Sequence, residues 1–401
     1  MLKFLIGGSP CSSWSIAQSK NRETEPQGVG WNLFQNYVIA KEKFKPDFFL
    51  YENNKSVAKP IKAAISEALG VPLQHINSAL VSAQNRERFY AHNFGDVPQP
   101  EDRGILLEDV LESGLVLRNH EKSYCLDANY YKGGNLSGFD RQSGKRLMVA
   151  EPVKSIVRIG KTEHQSGKKS PHDSKAYRAY SAHGKSVTLC GGAGGGGTMT
   201  GLYACPVNTT VDGKAQCIRA SSYKDGIRNM VGNDVDRRTC VAIPVEKPSE
   251  SRQAYEVKDG FVEIKGKHYP IRLADGFYII RKLTVTECAR LQTLPDDYCR
   301  AVSATQGYRG LGSGWTAEII IHLLSYALAG VPKDTEIICL SMYDGIGTGR
   351  YCFDKLGYHN LKYYAFEIDK YAMTVSNSNY PDIIACGNAF QVRERDWVLG
   401  G

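Results

Sequence analysis

A chain of 401 residues, 42% hydrophobic and 23% charged, is long enough for two or three domains and a sizeable buried core. No apolar run approaches the roughly eighteen residues that span a bilayer. The apolar part of the first eleven residues, Phe4-Leu5-Ile6, is too short for a secretion leader, so a cytoplasmic location is expected. Eleven cysteines, an odd number with no Cys-x-x-Cys pair, read as reduced thiols, most of them small core residues, and no metal site is expected. The net charge of +8 is unevenly placed: residues 114–280 hold 26 Lys and Arg against 16 Asp and Glu, and the rest 24 against 26. A basic excess confined to one block suits a segment facing a polyanion.

In chain order, residues 1–113 read as α/β. An apolar strand, Leu2 to Ile6, runs into Gly7-Gly8-Ser9-Pro10-Cys11, which places a thiol on a tight turn at a strand's carboxyl end, where open α/β sheets bind ligands. The polar stretch Ser12 to Gly30 reads as a binding loop or lid. A helix is expected over about 32–44, a strand over 48–51 ending in Glu52-Asn53, and a helix over 60–69. A further strand is expected over 76–81, followed by Arg86 and Arg88.

The block from 114 to 278 differs: short β pieces, many Tyr, Ser and Gly, and residues 191–197 nearly all glycine. It repeats. Tyr124-Cys125-Leu126 and Val149-Ala150-Glu151-Pro152-Val153 recur as Gln216-Cys217-Ile218 and Val241-Ala242-Ile243-Pro244-Val245, offset by 92 residues at both ends. Fixed-period similarity marks repeated supersecondary structure, so this block is expected to be one irregular β-rich domain.

From 279 to 330 the chain is helical again, with Thr284 and Thr286 as N-cap candidates before 287–292 and an apolar helix over 317–329. The last block, 331–401, is βαβ: strand 336–340, the turn Asp344-Gly345-Ile346-Gly347-Thr348-Gly349, a helix, and a strand ending at Glu367. Glycines at a strand-to-helix turn admit a ligand to the backbone, and an acid about twenty residues on accepts ribose hydroxyls. This implies an adenosine-containing cofactor, with NAD a rival. A turn without Gly-Lys-Ser/Thr is no P-loop. Asp344 at its start suits a cofactor with a cationic centre, which points to S-adenosylmethionine.

A free thiol is only a few per cent ionised at neutral pH, and neighbouring cations raise that fraction. Cys11 with Arg86, Arg88 and the acid Glu52, beside a methyl donor, suits methylation of a carbon that is not itself nucleophilic. Cytosine C5 is such a carbon, and a base in a duplex must first be flipped out.

These stretches resemble the DNA cytosine-5 methyltransferase family over nearly everything outside the middle block. Ser9-Pro10-Cys11 matches the nucleophile motif, Glu52-Asn53 the Glu-Asn motif, and Gln84-x-Arg86-x-Arg88 the Gln-x-Arg-x-Arg motif. Arg281-x-Leu283-Thr284-x-x-Glu287-x-x-Arg290-Leu291-Gln292-x-x-Pro295 matches the segment after the target-recognition region, and 344–349 the cofactor loop. Within the family, Ser9-Pro10-Cys11-Ser12, the 344–349 loop and Ser313-Gly314-Trp315 are most similar to the animal de novo enzymes, with bacterial and phage modification enzymes as the other likeness.

The resemblance implies a Rossmann-like sheet assembled from both chain ends, because the usual motif order is permuted, with the cofactor half last. It implies Cys11 as nucleophile, Glu52 on N3 and the exocyclic amine, and Arg88 with Arg86 on cytosine O2 or its phosphate. The implied S-adenosylmethionine site comprises Pro10, Tyr343, Asp344, Gly345, Gly347, Thr348, Gly349, Glu367, Ile368, Asn388, Ser313 and Trp315. Asn388 stands where the family usually has Asp; its carbonyl still accepts a hydrogen bond. Residues 1–113, 279–330 and 331–401 would form the catalytic domain, and 114–278 the target-recognition domain on double-stranded DNA. RNA methylation and a catalytically silent DNA-binding role are the alternatives. Action beside a cognate restriction endonuclease and solitary action on DNA are the two settings that fit such an enzyme.

Overall fold

The computed structural model describes residues 1–15, 21–112, 115–116, 122–128, 130, 148–152, 158–161, 178–181, 202–204, 254–264, 266–270 and 274–394. The second repeat copy, the glycine run at 191–197 and residues 16–20 of the polar loop lie outside these.

The chain divides into two compact units, one of residues 1–112, 120–148 and 282–401, the other of 113–119 and 149–281. The first is built on a seven-stranded sheet. Its strands are β1 (Leu2–Gly7), β2 (Phe48–Asn54), β3 (Leu73–Asn77), β4 (Glu87–His92), β5 (Ile337–Met342), β6 (Leu361–Phe366) and β7 (Ile384–Gly387). Their spatial order is β7-β6-β5-β1-β2-β4-β3. All run parallel except β4, which is antiparallel to both β2 and β3. The chain's last strands therefore join its first: β1 lies between β5 and β2, with Gly7 opposite Met342 on one side and Tyr51 on the other. Every residue of β5 is buried. That is why Ile337 to Leu340 read as a continuous apolar run rather than an alternating one.

The helices are α1 (Gly28–Phe44), α2 (Lys59–Leu69), α3 (Val285–Leu291), α4 (Ala304–Ser313), α5 (Ala317–Ala327), α6 (Thr348–Lys355) and α7 (Lys370–Asn379). Phe34, Tyr37, Ala40 and Phe44 of α1 are buried with Ile61, Ile65 and Leu69 of α2 in one core cluster, together with Leu5 and Phe49. Their spacing of three and four residues is the apolar stripe of a helix lying on a sheet.

The strand expected over 76–81 lies instead over 73–77. β3 ends at Asn77, whose side chain accepts the Ala79 N–H and starts a 3-10 turn over Ser78–Leu80. Short polar side chains of this kind compete with the sheet ladder for backbone donors. Helix α3 stops at Leu291, before Pro295, and Thr293 takes a φ of 54°. Its N-terminus carries a full capping box: Thr284 accepts the Glu287 N–H, and the Glu287 carboxylate accepts the Thr284 N–H. Helix α4 was not foreseen, because its glycines, Gly307, Gly310 and Gly312, suppress the sequence signal. Gly312 is required by packing: a Cβ there would meet the Asp127 carbonyl at 2.2 Å.

The described strands of the second unit form two sheets. Its six-stranded sheet runs in the order 267–270, 261–264, 254–258, 276–282, 148–152 and 115–116, and a three-stranded sheet comprises 202–204, 178–181 and 158–161. Residues 120–148 of the 114–278 block cluster with the first unit instead.

Candidate active site

The site grows from the register of β1 and β2. With Gly7 opposite Tyr51, the turn after β1 and the end of β2 sit side by side. Asn53 closes the gap: its Nδ2 donates to the Ser9 carbonyl at 3.0 Å and to the Tyr51 hydroxyl at 3.0 Å, while Ser9 Oγ and Tyr51 Oη lie 2.7 Å apart. The Cys11 carbonyl accepts the N–H groups of Trp14 and Ser15, and Trp14 is fully buried. The thiol is thus held on a short, anchored turn. Gly8 leaves room for the acid, since a Cβ there would lie 2.6 Å from the Glu52 carbonyl and 3.1 Å from its Oε2.

Glu52 is held at both carboxylate oxygens. Arg88 Nε pairs with Oε1 at 2.9 Å, with both side chains largely buried, and Trp315 Nε1 donates to Oε2 at 3.0 Å. Arg86 is 3% exposed and spends its fork on the chain. Nη1 donates to Cys125 Sγ (3.1 Å) and the Leu126 carbonyl (3.1 Å), and Nη2 to the Gly314 carbonyl (2.7 Å). Gln84, fully buried, donates to the Leu291 carbonyl and accepts the Leu126 N–H. Gln84 and Arg86 thus tie the 123–128 segment and the α4–α5 link to β4.

Burial pushes the Cys11 thiol up; Arg88 and Arg86 pull it down, but Glu52 also raises it, and the net shift is upward. For Cys125, burial also opposes ionisation, yet Arg86 and Arg88 outweigh it and hold the thiol below the ordinary range. The same two arginines thus leave Cys11 with a net upward shift and Cys125 with a net downward one. In sequence Cys125 reads as one of the small core thiols, within the repeat. Only its contact with both arginines distinguishes it, and nothing in the spacing signals that contact.

A single cavity of about 860 Å³ joins these groups to the Gly-rich turn. Of the expected residues, Pro10, Cys11, Glu52, Arg86, Arg88, Ser313, Trp315, Tyr343, Asp344, Gly345, Thr348, Glu367, Ile368 and Asn388 line it. Gly347 and Gly349 do not. Gly347, with a φ of 80°, packs on Ser376 of α7, where a Cβ would come within 2.9 Å. A Cβ at Gly349 would strike Tyr363 Oη at 2.4 Å and Ile6 Cδ1 at 2.5 Å. These glycines serve the packing behind the turn.

Asp344 is half-buried, and desolvation lifts its carboxyl to about 6 despite hydrogen bonds from Tyr363 and Ser341; nearby Glu367 adds to the rise. Both donors reach Oδ1, at 2.6 and 2.7 Å, and Oδ2 has no partner. A buried carboxylate oxygen left without a donor fits a cationic ligand. Glu367 accepts the Gly345, Ile368 and Asp369 N–H groups, so it shapes the turn while facing the cavity. Asn388 Oδ1 accepts the Phe390 N–H, which uses one of its two lone pairs. Tyr343 adopts a φ of 61° and donates to the Leu33 carbonyl at 2.7 Å, fastening the turn to α1. No cluster of metal-ligating side chains occurs among the described residues, and no described helix is long and apolar enough to cross a membrane.

Residues 1–325 match the family described as C-5 cytosine-specific DNA methylase. An orphan methyltransferase, M.SPRI of Bacillus phage SPR, is 23% identical over 364 residues, covering 79% of this chain and 80% of the relative. A type II methyltransferase, M.FnuDI of Fusobacterium nucleatum, is 42% identical over 53 residues, covering 13% of this chain and 14% of the relative. With the family's sequence pattern spanning four-fifths of the chain and its nucleophile, acid and arginine motifs converging on one cavity, the chain belongs to the C-5 cytosine-specific DNA methylases.

Proposed function

We propose that the protein transfers a methyl group from S-adenosylmethionine to C5 of a flipped-out cytosine in a specific duplex DNA sequence, through a covalent Cys11–C6 adduct. The observation that carries this is the shared cavity, which Cys11, Glu52 and Arg88 line together with Asp344 and the Gly345 turn. S-adenosylmethionine, when bound, supplies an electrophilic methyl group and a positive centre. Asp344 meets that positive charge, and Glu367, Ile368, Asn388, Trp315 and Pro10 hold the rest of the cofactor.

The Cys11 thiolate spends its electron pair on the new S–C6 bond, which pushes the C5–C6 π pair toward C5 and N3 and makes C5 the carbon that would take the methyl group. Glu52 hydrogen-bonds N3 and the exocyclic amine, which stabilises the charge that develops there. Arg88 offers a donor to O2, while Arg86 braces the wall behind it. A solvent water or hydroxide takes the C5 proton, the C–H electron pair re-forms the C5–C6 double bond, and the Cys11–C6 bond breaks to return the thiolate. Flipping brings the base to these groups, since none of them reaches a stacked cytosine.

The basic excess of residues 114–280 supports a target-recognition role for that block, in which phosphate contacts position the protein and base-edge contacts select the site. The permuted order is part of the reading: β5 to β7 complete a sheet that begins with β1, and permutation is tolerated where termini lie close at a surface.

Base-resolution bisulfite sequencing of DNA from cells expressing the protein, beside a Cys11→Ala control, tests this. Protected cytosines confined to one short sequence and absent in the control support it. No protection in either sample overturns it.

A further inference from the structure

Two guanidiniums lie beside each other in the cavity wall, Arg86 3% and Arg88 9% exposed. Arginine does not lose its proton in proteins, and a buried charge without a counter-charge costs several kcal/mol. Glu52 neutralises Arg88. Among the described residues no carboxylate pairs with Arg86, whose other partners are the neutral carbonyls of Leu126, Gly312 and Gly314. One ionisable atom touches both: Cys125 Sγ, 3.1 Å from Arg86 Nη1 and 3.6 Å from Arg88 Nη2. Its place is built rather than incidental. Strand residues 123–124 pair with 84–85, and Gln84 Oε1 holds the Leu126 N–H.

We propose that Cys125 is a resident thiolate, the counter-ion of the Arg86–Arg88 pair, and a positioning residue that keeps Arg88 Nη2 turned away from Glu52 so that Nε stays on the Glu52 carboxylate. The charged and titratable groups around it are Arg86 and Arg88 on the 84–92 segment, Glu52 on β2, Cys11 on the turn after β1, and Asp127, exposed, two residues further on. The arginines lie closest, and their charge decides the balance. Cys125 itself takes no part in bond making. The pocket thus holds two thiols with divided roles, one that attacks and one that compensates charge. The activity part rests on the function proposed above; the ionisation part does not.

Two measurements on the full chain read the ionisation without any turnover. In Cys11→Ser protein, iodoacetamide labelling of Cys125, followed by peptide mass spectrometry, is expected to slow less than about tenfold between pH 9 and pH 6.5. An ordinary thiol of pKa about 8.5 slows nearly a hundredfold over that span. Ultraviolet thiolate absorbance at pH 7, taken as the difference between Cys11→Ser and Cys11→Ser/Cys125→Ser, is expected to equal one thiolate per chain, whether or not the reagent reaches Cys125. A hundredfold slowing, or no thiolate band below pH 8, overturns the proposal.

With Cys11 intact, Cys125→Ser is expected to lower kcat about ten- to hundredfold through misplacement of Arg88, with KM for DNA within about threefold. Cys125→Asp, which restores an anion, should recover at least tenfold of that loss. A serine variant as fast as wild type, or an aspartate variant no faster than serine, overturns the positioning role. A thiolate at Cys125 in a protein that methylates no DNA would instead overturn the proposed function and leave the counter-ion intact.

Discussion

Trp315 Nε1 donates to Glu52 Oε2 at 3.0 Å, across 263 residues of sequence. The indole comes from the link between α4 and α5 and the carboxylate from β2, so the acid's orientation depends on a segment that the chain reaches only after the whole basic block. A hydrogen bond to a charged group contributes about 1.5–3 kcal/mol. Trp315→Phe removes the donor and keeps most of the ring. Its kcat for methyl transfer is expected to fall about tenfold or more, with little change in thermal midpoint. Unchanged kcat would mean that Arg88 alone orients Glu52.

Arg88 is the other anchor of that carboxylate. Removing one partner of a buried pair leaves an uncompensated charge and costs about 3–5 kcal/mol. Arg88→Ala is therefore expected to lose both activity and stability, measured by urea denaturation. Arg88→Lys should restore little, because an ammonium is a point charge that cannot address Glu52 and Cys125 in the same plane.

Asp344 gives a pH dependence whose sign is fixed by its burial. Its carboxyl titrates at about 6 when folded, against an ordinary 3.8. The folded state therefore holds the proton more tightly, and stability falls as pH rises from about 4 to about 6. Asp344→Asn keeps an acceptor for Tyr363 and Ser341 but carries no charge. It is expected to be more stable than wild type at pH 7, by about 1–3 kcal/mol, and equal to it near pH 4. Its affinity for S-adenosylmethionine, read by calorimetry, should fall. Parallel stability–pH curves for the two proteins would refute the assignment.

Gly349→Ala tests the packing behind the turn. The new methyl would lie 2.4 Å from Tyr363 Oη and 2.5 Å from Ile6 Cδ1, inside the sheet, and overpacking of this kind costs about 1–3 kcal/mol. The displaced group is the Tyr363 hydroxyl that donates to Asp344. Cofactor affinity is thus expected to drop together with the thermal midpoint, although residue 349 does not face the cavity.

How much of this was legible in the chain differs between its parts. The strands β1, β2, β5 and β6, the Cys11 turn, Glu52 and the Gly-rich loop follow from local signals: apolar runs ended by glycine and acid, which the backbone reads within a few residues. Their convergence on one cavity was expected from a family resemblance and not from spacing, since Cys11 and Asp344 lie at opposite ends of the chain. Helix α4 escaped notice because packing against the Asp127 carbonyl, rather than helix propensity, selects its Gly312. The early end of β3 turned on one Asn side chain.

The sequence by itself determined which residue types are on hand for the proposed chemistry and that the basic charge is gathered in one block, because residue identity and local pattern are properties of the chain alone. Tertiary structure decided what each of those residues is spent on. Arg88 is committed to Glu52 and Arg86 to backbone carbonyls and Cys125; Gly349 makes room for a tyrosine. Asp344 is half-buried with its Oδ2 enclosed and unanswered. Hydrogen-bond partners, burial and the field of a neighbouring charge depend on contacts between segments tens to hundreds of residues apart, and those exist only once the sheet has joined the two ends of the chain.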